Sequence, residues 1–234
     1  MPNLLIKTVR AKSKMGLNKS KGNMYDWVTH TWNTIKGACP HDCSYCYMKR
    51  WGQLNPIRFD EGELNVDLGN GNFIFVGSSC DMFSGGINPK WVIKTLEHCA
   101  NFDNTYLFQS KNPKYFDLIP IYEVDKFKLC ITLETNRVYP DIMKYSPEPI
   151  KRAIDFEKIP IKEKYITIEP IMDFDVRSLL AMVKSCNPQQ VNIGADSGNN
   201  NLPEPDKIKV MELIEELEQY TVVKQKKNLS RILK

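Results

Sequence analysis

Short runs of β-branched and aromatic residues alternate with longer stretches of helical character along most of the chain. The short runs predict strands, and the longer stretches, where apolar residues recur every three or four positions, predict helices. The predicted strands cover 27–35, 72–79, 105–110, 127–134, 164–169 and 189–196. The predicted helices cover 88–102, 113–122, 147–158, 175–186 and 204–220. This order is typical of a parallel α/β fold with six β/α units.

The last three predicted strands have one apolar and one polar face, because successive strand residues point to opposite sides of a sheet. The apolar face, predicted to pack on helices, holds Leu129, Ile131, Leu133, Ile166, Ile168, Val191, Ile193 and Ala195. The other face holds Cys130, Thr132, Glu134, Thr167, Glu169, Asn192, Gly194 and Asp196. Buried carboxylates need partners, so this face predicts a polar ligand cavity near the carboxyl ends of the strands. The alternative is an open sheet whose polar face is exposed.

Length and composition are those of an ordinary globular protein. The chain has 234 residues, of which 42% are hydrophobic and 26% are charged, enough for one sizeable core. We see no apolar run long enough to span a bilayer and no signal-peptide pattern. We therefore expect one cytoplasmic domain whose seven cysteines stay reduced.

Positive charge is concentrated at both ends of a chain whose net charge is +4. We divide the chain into a basic N-terminal arm (1–24), an α/β domain (25–220) and a basic C-terminal tail (221–234). Basic runs can bind phosphate backbones. The alternative, which we favour at this point, is a pair of solvated and partly mobile termini.

The stretch "GACPHDCSYCYM" (37–48) places Cys39, Cys43 and Cys46 in the spacing C-x3-C-x2-C. A structural zinc site uses four ligands, and His41 can complete a Cys3His set. A [4Fe–4S] cluster also takes four ligands, so three thiolates leave one iron open to a small molecule. The residues alone leave both possibilities open.

The spacing resembles the signature of the radical S-adenosylmethionine (SAM) superfamily, and the aromatic Tyr45 before the third cysteine also fits. The motif follows the first predicted strand, where that superfamily carries it on a partial (β/α)6 barrel. Further segments resemble a phage- and prophage-associated radical SAM family of unknown function. They are "DWVTHTWNTIKGAC", "GSSCDMF", "FQSKNP", "TLETN", "ITIEP" and "IGADS".

The resemblance implies that the three cysteines hold a [4Fe–4S] cluster whose open iron binds SAM. One electron, from an external donor of the flavodoxin or ferredoxin type, would cleave SAM to a 5′-deoxyadenosyl radical that abstracts hydrogen from a substrate. The remaining cysteines are interpreted as small buried hydrophobes rather than ligands of a second cluster. They are Cys80, Cys99, Cys130 and Cys186.

The resemblance also implies SAM contacts at the strand ends. The residues concerned are Tyr45, Gly77, Ser78, Ser79, Asp81, Thr132, Glu134, Asn136, Ile193 and Gly194. The superfamily's usual pair of glycines followed by glutamate is absent from 77–81, which is also compatible with an ordinary capped turn. A carboxylate such as Glu134 suits a ribose diol, because it accepts two hydrogen bonds. A small residue at Gly194 would let adenine approach.

Three charged residues are candidates for catalysis or substrate binding: Glu134, Lys111 and Glu169. The alternative for Glu134 is a structural partner for Lys111 or Arg137. The sequence favours a one-cluster radical SAM enzyme, with a nucleic acid or modified nucleotide as the candidate substrate. A non-enzymatic Cys3His zinc module that binds nucleic acid is the alternative, and a cluster protein without turnover is a third. The oligomeric state stays open.

Overall fold

One mostly parallel sheet organises the protein in the computed structural model, which describes residues 17–119 and 126–234. Within these residues the sheet has eight strands in the order β1-β2-β5-β6-β7-β8-β9-β10. They are β1 Asn18–Lys19, β2 His30–Trp32, β5 Phe73–Val76, β6 Thr105–Ser110, β7 Phe127–Thr132, β8 Lys164–Ile168, β9 Gln190–Ile193 and β10 Val222–Gln225. Only β1 pairs antiparallel in this sheet. A separate pair joins β3 Ile35–Lys36 to β4 Arg58–Phe59.

The α-helices follow the strands as the periodicity predicts. They are α1 Pro89–Ala100, α2 Pro140–Met143, α3 Pro149–Glu157, α4 Val176–Ser185, α5 Lys207–Glu218 and α6 Ser230–Leu233. Shorter 3₁₀ helices cover Tyr47–Trp51, Glu61–Asn65, Pro113–Leu118 and Lys227–Leu229. The first helix begins with a proline, and the side chain of Asn88 accepts a hydrogen bond from the Lys90 backbone N–H, an arrangement that suits a helix start.

The outer face of the sheet packs on the helices, as the alternation predicts. Leu129 and Ile131 of β7 belong to the same buried cluster as Phe156 of α3 and Val183 of α4. This cluster is the main core of the protein. The predicted α/β class with a parallel sheet is confirmed.

The segment before β2 covers part of the inner face of the sheet, which is the face opposite the helices. Tyr25 and Val28 form a second buried cluster with Leu107 and Cys130. Trp27 stacks on Tyr25 at 5.0 Å between ring centroids and meets Tyr165 of β8 edge-on at 5.5 Å. Because a segment next to one edge of the sheet touches a strand near the other edge, the sheet curves around it as a partial barrel.

Several element boundaries shift from the sequence prediction. The predicted helix 113–122 is a 3₁₀ helix over Pro113–Leu118, and residues 120–122 lie outside the described residues. The predicted loop after β7 contains the short helix α2. Of the predicted N-terminal arm, residues 1–16 lie outside the described residues, whereas Asn18 and Lys19 pair with β2.

The segment predicted as a basic C-terminal tail (221–234) contains a strand of the main sheet. Val222–Gln225 forms β10, which pairs in parallel with β9 from Val222↔Gln190 to Gln225↔Ile193. The tail also contributes Leu229, which has no exposed surface and belongs to the main core. The apolar side chains between the lysines therefore hold the segment in the fold, and the described sheet has one parallel strand more than the six predicted. None of the described helices is both long enough and apolar enough to cross a bilayer.

Candidate functional site

The three cysteines lie on a tightly turned loop between β3 and the 3₁₀ helix Tyr47–Trp51. Gly37 opens this loop with a φ of 110°. A Cβ atom there would lie 2.5 Å from the backbone oxygen of Pro56 and 2.8 Å from that of Asn55. Because these neighbours are backbone atoms and the φ is positive, the position requires glycine.

All three cysteines carry free thiols. Cys43 is buried, whereas Cys39 and Cys46 are half-buried. A hydrogen bond with Cys80 lowers the pKa of Cys39 to about 6, and burial raises the pKa of Cys43. Three unpaired thiols on one loop fit the donor set that an open-cornered iron–sulfur cluster needs. Among the residues that the structure describes, no three His, Cys, Asp or Glu side chains converge on a position for a single metal ion.

His41, the fourth ligand of the zinc alternative, is buried and bonded to Asp81. Its Nε2 atom lies 2.9 Å from Asp81 Oδ2. The same oxygen accepts hydrogen bonds from Ser110 Oγ and from the Lys111 backbone N–H. Burial tends to raise the pKa of Asp81, but the contact with His41 outweighs it and the pKa is lowered. The pair thus fastens the cysteine loop to the ends of β5 and β6.

The predicted contact segment after β5 lies beside the cysteine loop. Gly77 adopts a φ of 80°. The Ser79 backbone N–H and the Ser78 hydroxyl both donate to Asn33 Oδ1, at 2.9 Å and 3.3 Å. Tyr47, which follows the third cysteine, donates to the Ser78 carbonyl at 3.0 Å. The structure therefore brings this segment and the loop together.

Glu134 is the centre of a buried charged group next to Tyr45. Its carboxylate accepts hydrogen bonds from the Tyr45 hydroxyl at Oε1 and from Arg152 at Oε2. Lys111 Nζ lies 3.5 Å from Oε1. Burial alone would raise the pKa of Glu134, but Arg152 and Lys111 outweigh it and lower the pKa to about 2. The carboxylate is thus ionised and is held by protein donors.

Lys111 brings positive charge to the cysteine loop. Its ammonium lies 5.2 Å from the centroid of the Tyr45 ring, within the range of a cation–π contact. The side chain is largely buried, with 17% of its surface exposed. Because the two cations Arg152 and Lys111 share the single carboxylate of Glu134, these three side chains carry a net positive charge that suits an anionic ligand.

Glu169 lies in a second polar group on the inner face. Its Oε2 atom is 2.5 Å from Lys226 Nζ, and its Oε1 accepts from Asn23 and Asn228. These donors come from both ends of the chain. A Cβ atom on Gly194 would lie 2.7 Å from Glu169 Oε1. The small size of Gly194 therefore makes room for the glutamate, whatever it does for adenine.

Two of the predicted SAM contacts, Ile193 and Asn136, have neighbours other than the Tyr45–Glu134 group. Ile193 has no exposed surface and belongs to the helix-facing core, and its contact with SAM stays a prediction. Asn136 joins a surface network in which its side chain binds Asp175. Asp196, on the polar strand face, accepts from backbone N–H groups of its own loop. Thr132, in contrast, is buried on the inner face and accepts from Gln109 at 3.1 Å.

Sequence reasoning missed Arg152, Lys226, Asn228, Asn23 and Tyr25. Arg152 left a signal, because it occupies an apolar-face position of α3 beside Ala153, and both are buried. An arginine at such a position indicates a buried ionic partner. We find no comparable local signal for the others, which reach the site from distant segments.

Comparison with solved structures shows that the fold is similar to that of spore photoproduct lyase. One such structure, complexed with dinucleoside spore photoproduct, has a TM-score of 0.63 and 12% identity, covering 91% of this chain and 79% of that chain. A double mutant with bound AdoMet (SAM) and dinucleoside spore photoproduct has a TM-score of 0.63 and 10% identity, covering 89% and 80%. A single mutant has a TM-score of 0.60 and 11% identity, covering 86% and 78%. At such identities the likeness concerns the fold. No protein-family model and no curated protein matches the sequence.

Proposed function

We propose that the protein is a radical SAM enzyme with one [4Fe–4S] cluster held by Cys39, Cys43 and Cys46. The observation that carries the proposal is the position of these free thiols. They lie on one loop, whose Tyr45 contacts Glu134 and Lys111 at the carboxyl ends of the parallel strands. Ligands in parallel α/β folds bind at that end of the strands.

When bound, the cluster and SAM supply the reductive cleavage that yields a 5′-deoxyadenosyl radical. The protein's own contribution is binding, orientation and exclusion of water. Lys111 provides an ammonium for a carboxylate of SAM or for an anionic group of the substrate. Tyr45, held by Glu134, covers the loop between two of the thiols. Tyr25 and Trp27 pack on the inner face and shield that part of it from solvent.

We further propose that the substrate is a nucleic acid or a modified nucleotide. The neighbour with bound dinucleoside spore photoproduct supports this substrate class, as do the polar inner face and the basic chain ends. Membership of the phage- and prophage-associated radical SAM family belongs to the same proposal and rests on the sequence segments described above. An external flavodoxin or ferredoxin is the proposed electron donor.

The experiment is anaerobic reconstitution with iron and sulfide, followed by addition of SAM and dithionite. We expect a brown protein that forms 5′-deoxyadenosine. The Cys43→Ala variant should lack the cluster and the product, whereas Cys99→Ala, which changes a buried thiol in the outer core, should retain both. A colourless protein with one tightly bound zinc would contradict the proposal.

A further inference from the structure

We propose that Arg152 is a positioning residue that fixes the cysteine loop in place. The inference rests on the proposed function for its biological meaning, but its structural content concerns the protein alone. Arg152 lies on α3, and its side chain has no exposed surface. From there the guanidinium reaches the end of β7 and connects to the cysteine loop through two chains of contacts.

The guanidinium makes four hydrogen bonds, which involve all three of its nitrogen atoms. Nη1 donates to the Thr132 carbonyl at 2.9 Å and to Glu134 Oε2 at 2.6 Å. Nε donates to the Pro147 carbonyl at 2.6 Å, and Nη2 donates to Ser146 Oγ at 3.0 Å. A planar fork with several satisfied donors fixes its neighbours in direction as well as in distance.

The first chain of contacts passes through Glu134. One carboxylate oxygen accepts from Arg152, and the other accepts from the hydroxyl of Tyr45. Tyr45 lies between the second and third cysteines. Arg152 therefore sets the position of the aromatic ring in the middle of the loop, and Lys111 above that ring shares the same carboxylate.

The second chain passes through Ser146. Its hydroxyl accepts from Arg152 and donates to the Met143 carbonyl at 2.8 Å. The same carbonyl is 3.8 Å from the Sγ atom of Cys43, which donates to it. The loop backbone is bound to this segment as well, since the Ser44 N–H donates to the Ile142 carbonyl at 2.9 Å.

The two series of contacts from Arg152 end on Tyr45 and Cys43. Removal of Arg152 should therefore loosen the cysteine loop at Cys43, the most buried of its three thiols. The test measures alkylation rates of individual cysteines in the metal-free protein by mass spectrometry. The alkylation rate of Cys43 measures how readily the cysteine loop opens. Cys99, which has no exposed surface in the outer core, reports on global unfolding. The control variant is Arg177→Gln, the same change at an exposed residue of α4.

Two variants avoid leaving either member of the Arg152–Glu134 ion pair buried without the other. Arg152→Gln combined with Glu134→Gln removes both charges together, and Ser146→Ala cuts the second chain without altering any charge. In both we expect Cys43 alkylation to accelerate about tenfold, which corresponds to a local opening made easier by about 1.4 kcal/mol. Cys99 should stay as slow as in the wild type. After reconstitution, both variants should hold less iron per chain than the Arg177→Gln protein.

Unchanged Cys43 alkylation in both variants would overturn the inference. A rise in Cys99 alkylation equal to that of Cys43 would also overturn it, because Arg152 would then support the whole fold rather than the loop. Neither outcome depends on SAM cleavage. The inference can therefore fail while the wild-type protein still forms 5′-deoxyadenosine, and it can hold in a protein that forms none.

Discussion

Lys226 and Glu169 form an ion pair of 2.5 Å between Nζ and Oε2, although 57 residues separate them along the chain. Both side chains are largely buried, with 10% and 17% of their surfaces exposed. Lys226 also lies 4.5 Å from the centroid of the Tyr25 ring. The last strand, the inner face of β8 and the segment before β2 therefore meet at one point, which joins both ends of the described chain to the candidate site.

The variant Lys226→Met should lower the free energy of unfolding by about 1–3 kcal/mol, because it leaves a largely buried carboxylate without its cation. Lys227→Met is the matched control, since Lys227 is exposed. Urea denaturation of the metal-free protein measures both. Equal stability of the two variants would show that the Glu169 pair does not hold the C-terminal strand in the fold.

Gly194→Ala should destabilise the protein by about 1–3 kcal/mol through overpacking, because the new Cβ would lie 2.7 Å from Glu169 Oε1 and 3.1 Å from Asn228 Oδ1. Gly85→Ala is the control, since a Cβ there meets nothing within 4 Å. Thermal unfolding and SAM affinity should both be measured. If Gly194 serves adenine alone, the variant will keep its stability and lose only SAM affinity.

Gly37→Ala should lose most of the cluster iron after reconstitution. A Cβ at this position would lie 2.5 Å from the Pro56 backbone oxygen, so the cysteine loop must shift. The control Gly71→Ala has a φ of 71° and no atom within 4 Å of the new Cβ. It carries the conformational cost of a left-handed residue without the clash. Iron content per chain distinguishes the two, and equal iron loss would refute the role of the clash.

Glu134→Ala should lower the free energy of unfolding by about 3–5 kcal/mol, because it leaves Arg152 buried without its counterion. It should also weaken SAM binding, since Tyr45 and Lys111 lose their shared acceptor. The control Glu97→Ala changes an exposed residue of α1. Isothermal titration with SAM is the measurement, and an unchanged SAM affinity would refute the assigned role of Glu134.

Much of the fold is readable from the sequence, because its elements are encoded locally. Alternation along β7 separates Leu129 and Ile131, in the outer core, from Cys130 on the inner face. The turn at Gly37 and the cysteine spacing are local features as well. Such signals need no knowledge of distant contacts, so the strands, the outer core and the cysteine loop could be predicted.

The rest depends on contacts between distant segments. Val222–Gln225 is short, contains Lys224 and is followed by two more lysines, and it becomes a strand because β9 offers it a free edge. Ile193 and Gly194 are adjacent in sequence, yet strand residues at successive positions face opposite sides of the sheet. Arg152 could have been noticed as a charged residue on the apolar face of a helix, but its partner Glu134 could be identified only in three dimensions.

The central claim is that three thiolates hold a four-iron cluster with one iron open to SAM. Mössbauer spectroscopy of protein reconstituted anaerobically with ⁵⁷Fe, with and without SAM, tests it most directly. The account predicts one [4Fe–4S] cluster per chain in which a single iron changes its signal when SAM is added. Spectra that are identical with and without SAM, or a preparation that binds zinc and no iron, would contradict it.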